Sequence, residues 1–291
     1  MKSEQSLRVG GVPEHFNLPW QLAAERDVFS SKGIDLSWTM YAGGTGAMTQ
    51  AINNGSLDVA VLLTEGFIAA ASEGLQARIA KVYIETPLVW GIYTGANSNI
   101  AGADTFHNRQ IAISRFGSGS HLMSMIHASE RHEKIEPSQF QVVNSLHGGV
   151  NALRESSADI FYWEKFMTRP HVLSGEVKLI GEFSAPWSSF LIIVGDEALI
   201  KKQDAVKQLL QIMNGECISF KQDVHSAIQL SKRFDMSLPE AHAWLQNTQW
   251  NYNFEVSQKS LENAKAALES VNKCNNQLNL EQFCAPWIQL N

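Results

Sequence analysis

The chain has 291 residues, a formal net charge of -6, 44% apolar residues and 18% charged residues. That length favours two lobes over one core, and the composition is that of a folded globular protein rather than a disordered one. It excludes the clustered Lys and Arg footprint of a nucleic-acid or anionic-membrane binder, and its longest apolar runs, such as 190–194, are far too short to span a bilayer. The three cysteines, Cys217, Cys274 and Cys284, are widely spaced with no C-x-x-C pair, which argues against a disulfide framework or a zinc site.

In chain order, residues 7–12 read as a short strand entering Pro13-Glu14-His15-Phe16. Residues 19–31 read as one helix with Leu22, Ala23 and Val28 on its buried face. Residues 34–40 alternate as a strand does, and Gly43-Gly44-Thr45-Gly46 opens a helix to Asn54. Residues 58–63 form an apolar strand followed by Thr64-Glu65, and 158–162 a second one followed by Trp163-Glu164. This alternation predicts mostly parallel sheets flanked by helices, with ligands held outside the carboxyl ends of the strands. Between these strands, ISRFGSGSHLMSMI (113–126) passes from apolar residues through a Gly-Ser turn into a helix. After about Ala198 the pattern is helical. Val206, Leu209, Leu210, Met213 and Cys217 share one face, Leu261, Ala264, Leu268 and Val271 another, and Ser237-Leu-Pro-Glu240 has the form of a capping box.

One internal repeat is visible. AINNGSLDV (51–59) matches ALRESSADI (152–160); each follows a glycine pair and each ends in an Asp just before an apolar strand. This predicts one helix-turn-strand unit used once in each of two similar lobes.

Four stretches, LRVGGVPEHFNLPWQLAAERDVFSSKGIDLSW, AGGTGAMTQAINNGSLDVAVL, RFGSGSHLM and SSADIFYWEKF, resemble type 2 periplasmic-binding-protein-like proteins. The branch is the one that binds nitrate, sulfonates, taurine and thiamine-pyrimidine precursors, and the stretches follow the family's order over the first two thirds of the chain. The resemblance implies an α/β fold of two lobes, each a mostly parallel sheet flanked by helices, with a helical C-terminal tail. It implies residues 1–92 in lobe 1, 93–188 in lobe 2, and 189–291 returning to lobe 1, with crossings at 92–95 and 185–189. It also implies a solute-binding protein that captures a small polar organic ligand, sulfonate-like or thiamine-pyrimidine-like, by hinge closure.

The same resemblance places Ser118, Gly119 and Ser120 at the ligand's anionic end, where free backbone N–H groups and the helix dipole favour negative charge; the plain alternative is an ordinary helix cap. Arg115 either adds a charge there or faces solvent. Gly44 and Thr45 form the matching turn of the first lobe, or simply a helix start. Thr64-Glu65 and Trp163-Glu164 sit at strand ends, with Glu65 and Glu164 as acceptors for an amine, amidine or hydroxyl, or else facing solvent or paired with a Lys or Arg, and with Trp163 as a stacking surface. His15 and Phe16 lie in the family's contact loop after the first strand, and Trp187 lies beside the second crossing, as cleft wall or as hinge packing.

No cofactor, metal ligand set or catalytic residue is expected. The partners expected are a small-molecule ligand and, if the chain is exported, an ABC-type permease, for a monomer without membrane insertion or nucleic acid. MKSEQSLRVGG shows no apolar leader, so the expected location is cytoplasmic unless a signal segment was removed. Two other classes stand beside binding. An enzyme related to thiamine-pyrimidine synthesis would need Lys81 or Lys165 as a Schiff-base partner, and the cysteine-rich iron motif of the fungal synthase has no counterpart here. A ligand-gated cytosolic adaptor is the other.

Overall fold

The computed structural model describes residues 5–103, 106–275 and 277–291; the first four residues of the stretch read for a leader lie outside it. Two five-stranded sheets organise the chain. The first contains β1 (Ser6–Gly11), β2 (Asp35–Met40), β3 (Val59–Leu63), β4 (Ala77–Ile84) and β10 (Phe190–Gly195), in the order β2-β1-β3-β10-β4. The second contains β5 (Val89–Gly95), β6 (Ile111–Ile113), β7 (Phe140–Val142), β8 (Ile160–Glu164) and β9 (Val177–Ser184), in the order β7-β6-β8-β5-β9. In each sheet one strand, β10 or β5, runs against its neighbours and the rest share one direction. The sheets are therefore mixed, and each reversed strand arrives from the other lobe.

Helices cover both sheets: α1 (Leu18–Glu25), α2 (Val28–Ser31), α3 (Gly44–Asn53) and α4 (Thr64–Ser72) in the first lobe, α5 (Gly119–Glu130), α6 (Leu146–Arg154) and α7 (Lys165–Leu173) in the second. The single helix expected over 19–31 is two, because Asp27 adopts a left-handed φ of 54° that no α-helix continues through. Ala23 and Phe29 are buried, while Leu22 and Val28 are only half-buried.

The chain leaves the first sheet at Ile84 and enters the second at Val89. The crossing expected at 92–95 is corrected: those residues are the second half of β5, paired with β8 and β9, and the crossing lies at 85–88, where Pro87 interrupts the strand pattern. The return runs through 185–189 and is pinned to α4 and to Ser260 of the C-terminal tail. The Thr64 N–H donates to Ser189 O at 3.0 Å, the Thr64 hydroxyl donates to Ser188 O, and the Ser188 N–H donates to Ser260 Oγ at 2.9 Å.

The tail is α8 (Asp196–Lys201), α9 (Gln203–Gln222), α10 (Ser226–Phe234), α11 (Leu238–Asn247) and α12 (Gln258–Ser270), plus a two-stranded ribbon, β11 (Glu255–Val256) with β12 (Gln289–Leu290), that helical periodicity does not show. The stripe from Val206 to Cys217 is buried, and Ser237 and Glu240 close the capping box at α11. α9 packs on α1 and β1, while α12 touches both α4 and α5, so the tail reaches the second lobe as well.

The internal repeat holds at the level of single hydrogen bonds. After α3, Ser56 and Leu57 donate to Ala51 O; after α6, Ser157 and Ala158 donate to Ala152 O. Asp58 Oδ2 accepts the Arg8 N–H at 2.8 Å, and Asp159 Oδ2 accepts the Gln110 N–H at 2.8 Å. Each Asp thus ties its own strand to the neighbouring one at the end away from the cleft.

Candidate ligand-binding site

A shared strand direction sends the helix N-termini of both lobes towards one gap, a cleft of about 250 Å³ between the sheets. Of the residues singled out from sequence, Gly44, Thr45, Ser118, Gly119, Ser120, Trp163 and Glu164 line it. They share it with Glu14, Arg115 and Trp90, and with the apolar Leu63, Leu88, Met167 and Phe190.

The start of α5 supplies the donors. Ser118 is the N-cap: its Oγ accepts from His121 N, and Ser120 Oγ accepts from Ser114 N at 2.9 Å. The two hydroxyls are 3.0 Å apart and share one proton between them. One hydroxyl proton of the pair therefore remains for another acceptor. The N–H groups of Gly119 and Ser120, in the first helical turn, meet no protein acceptor among the described residues. Both readings of the turn hold at once: the serine oxygens cap the helix, and its backbone still presents donors to the cleft. Glycine is required at 119, where an added Cβ would lie 2.4 Å from the Trp90 ring.

Arg115 leaves the end of β6 and crosses to the first lobe. An added Cβ on Gly46 would be 2.8 Å from its Nε, so the guanidinium lies directly on the first turn of α3. It makes no ion pair among the described residues, and burial lowers its pKa. A cation against a helix N-terminus is an unfavourable pairing of like partial charges. An anion between Arg115, α3 and α5 would relieve it.

The acidic side is built by the end of β8 and the loop after β1. Glu164 is 3% exposed and caps α7, with Oε2 accepting from Met167 N at 2.7 Å. Its Oε1 faces His15 Nε2 at 3.8 Å, too far for a hydrogen bond. Burial, and then the Glu14 charge, push the Glu164 carboxyl up to about 8. Glu14, at the rim, retains some solvent contact, and the protein crowded around it pushes its carboxyl up to about 7.

His15 does not line the cleft. Its fully buried ring lies among Phe16, Phe166, Phe234 and Trp244, with centroids 4.6 to 6.1 Å away. Burial lowers its pKa to about 3, so it backs Glu164 as a neutral ring. Phe16 is core, 4.9 Å from Phe190 and 5.2 Å from Trp244 between centroids. Thr64, Glu65 and Trp187 belong to the return crossing. The Trp187 indole N–H donates to Glu65 Oε2 at 2.9 Å, and burial pushes the Glu65 carboxyl up to about 7. Here the helix starts on Thr64 itself, which turns Glu65 towards the return segment.

Sequence reasoning missed Glu14 and Trp90. Glu14 obeys the strand-end rule used for Glu65, but the neighbouring aromatic pair drew attention instead. Trp90, in register with Glu164, reaches the cleft from the beginning of the reversed strand β5, a position that a rule about carboxyl ends cannot find. The two lysines considered for Schiff-base chemistry lie off the lining. Lys81 Nζ donates to Asn251 Oδ1 and Asn253 O, and Lys165 pairs with Glu182 at 2.7 Å. Among the described residues no cluster of three or more His, Cys, Asp or Glu side chains is placed to hold a metal ion, and no helix is long and apolar enough to cross a membrane.

Comparison with solved structures decides what this architecture is. The Candida albicans CA3427 gene product, which defines a family with the generic periplasmic-binding-protein fold, superposes with a TM-score of 0.89 at 23% identity over 98% of each chain. The fold is that of the periplasmic binding proteins. Residues 90–183, which hold nearly all of the second lobe, match the model of the Ca3427-like PBP family. Two further proteins of this fold are the alkanesulfonate-binding protein SsuA from Xanthomonas axonopodis pv. citri bound to MOPS and the aliphatic sulphonate binding protein SsuA from Escherichia coli. The first has a TM-score of 0.80 at 13% identity over 99% of each chain. The second has a TM-score of 0.74 at 16% identity, over 97% of this chain and 98% of that one. A sequence comparison with curated proteins finds no match.

Proposed function

We propose that this periplasmic-binding-protein fold serves as a solute-binding protein, capturing a small organic anion of the sulfonate type between its lobes. One observation carries the reading: the free Gly119 and Ser120 N–H groups and the Arg115 guanidinium converge in a cleft with apolar walls. Helix N-termini and an unpaired guanidinium both favour an anion, and the serine pair has one hydroxyl proton to add. The two sulfonate-binding proteins of like fold support the ligand class. Closure brings Arg115 and α5 of one lobe against α3 of the other, so the anion itself joins the lobes. The structure's cross-lobe contacts, such as Arg169 Nε to Glu240 Oε1 at 2.8 Å, suit a closed form.

The test is calorimetric titration of the whole chain with short alkanesulfonates, alkylphosphonates and carboxylates of matched length. Saturable binding of one head group, lost in Ser118→Asp, supports the reading. Absence of binding by every anion, or binding unchanged in Ser118→Asp, refutes it.

A further inference from the structure

Capture of an anion leaves one buried group unused. His15 lies where the lobes meet: Phe16, Phe234 and Trp244 hold its ring from the first lobe and the tail, and Phe166 and Glu164 cover it from the second lobe. The ring is fully buried, and neither of its nitrogens makes a hydrogen bond among the described residues. Nε2 faces Glu164 Oε1 at 3.8 Å across the interface, while Glu164 Oε2 accepts from Met167 N. A buried imidazole and a buried carboxyl in such contact are costly to charge singly. With two protons the pair is an uncompensated cation, and with none an uncompensated anion. With one proton it is neutral overall, on whichever atom that proton sits. The other charges nearby do not alter this count. Lys165 pairs with Glu182, and Arg169, on the same helix, pairs with Glu240. Tyr93 of β5, whose hydroxyl donates to Lys165 O, stays a neutral phenol because burial raises its pKa. Glu14, at the rim, adds negative charge, which favours a proton on Glu164. The rings around His15 carry no charge.

Resting on the anion-capture reading above, we propose that lobe closure is proton-coupled: His15 of the first lobe and Glu164 of the second close on one proton held between them, and the anion is captured together with that proton. Separating the lobes gives both groups access to water, where the carboxyl titrates near 4.5 and the imidazole near 6.5. In the closed form burial pushes Glu164 up to about 8 and His15 down to about 3, which puts the proton on Glu164. Above pH 6.5 the open pair has lost both protons while the closed pair keeps one. Capture there takes a proton from solution and weakens as pH rises towards 8. Between pH 4.5 and 6.5 the uptake at Glu164 is offset by release from His15. The proton thus acts as a second ligand, cancelling one buried negative charge in a cleft that is receiving another.

The experiment counts protons by calorimetry on the full chain. Ethanesulfonate, which does not itself titrate, is bound in two amine buffers of different ionisation enthalpy, so that neither buffer competes as an anion. If another head group of the series above binds instead, its own protonation is subtracted. Near pH 7.5 the protein is expected to take up about one proton per ligand, with affinity falling about tenfold from pH 7 to 8. Glu164→Gln, whose amide oxygen still caps α7, should bring the uptake close to zero and flatten that pH dependence, whereas Glu14→Gln should reduce the uptake without removing it. His15→Phe keeps a ring in the cage and should raise the uptake near pH 5.5 by about one proton, because the offsetting release is gone. A binding heat independent of buffer near pH 7.5, an uptake that survives Glu164→Gln, or an uptake near pH 5.5 that His15→Phe leaves unchanged would overturn the coupling while leaving anion capture standing. Binding of no anion at all would remove anion capture and the coupling with it.

Discussion

Glu65 and Glu164 sit at matching strand-to-helix junctions of the two lobes, two residues out of step with each other. Each lies where the central apolar strand of its sheet, β3 or β8, passes into the next helix, α4 or α7, and each is almost fully buried. Their surroundings send them to different tasks. In the second lobe Glu164 is the last residue of β8 and the N-cap of α7, and it lines the cleft. In the first lobe Leu63 holds that place, and Glu65, two residues on in the first turn of α4, meets the return crossing and takes the Trp187 indole N–H. A repeated unit conserves backbone placement, but the step at which each lobe carries its carboxylate, and the segment packed alongside, decide what that carboxylate meets.

The largest expected effect separates ligand chemistry from both acids. Ser118→Asp keeps a good N-cap residue, so α5 should persist, but it adds a negative charge beside Gly119 and Ser120. Sulfonate affinity should fall on the order of a hundredfold, because like charges juxtaposed in a binding site cost several kcal/mol. The melting temperature should hardly move, and calorimetry with thermal unfolding checks both. Next, Trp187→Phe leaves Glu65 without its donor and should destabilise the fold by about 1–3 kcal/mol, the cost of a buried polar group left unsatisfied. Chemical denaturation should show that loss, while Glu65→Gln should leave ligand affinity nearly unchanged. Equal effects of Glu65→Gln and Glu164→Gln on binding would erase the distinction between crossing and cleft.

A smaller effect is the pH dependence of stability without ligand. The carboxyls of Glu14, Glu65 and Glu164 rise from 4.5 to about 7, 7 and 8 on folding, so the folded state holds more protons than the unfolded one across that range and stability declines as pH rises through it. His15 works in the other direction: its pKa falls from 6.5 to about 3, which makes stability rise with pH up to about 6.5. The two trends oppose each other below pH 6.5, and only the acids act from there to about 8. The melting temperature should therefore decline over that window, less steeply in Glu164→Gln; a flat or rising profile would contradict the burial of these groups. The smallest effect is that of Arg169→Ala. Its partly exposed pair with Glu240 contributes about 0–1 kcal/mol, and small-angle scattering should show a slightly larger radius of gyration with stability almost intact.

Much of this architecture is legible in the sequence. The strand-helix alternation, the repeated Asp before β3 and β8 and the Gly-Ser turn before α5 are local signals, and each appears in the structure where the chain order places it. The lining of the candidate cleft is legible where it follows a forward strand, as at Ser118 to Ser120 and Trp163-Glu164. Four features depend on partners far along the chain and leave no local trace. These are the aromatic cage that removes His15 from the cleft, the Trp187 indole that claims Glu65, the reversed strand that delivers Trp90, and the crossing at 85–88 rather than 92–95. The left-handed Asp27 splits the first long helix with no Gly or Pro in the sequence to mark the break.

The central claim is that the backbone of α5 receives the ligand's anion, and amide NMR tests it most directly. In a titration of isotopically labelled protein with the tightest-binding probe, the Gly119 and Ser120 N–H resonances should move downfield and rank among the largest shifts, in step with the calorimetric saturation curve. Saturable binding that leaves both amides in place while other residues shift would contradict the account and put the ligand elsewhere.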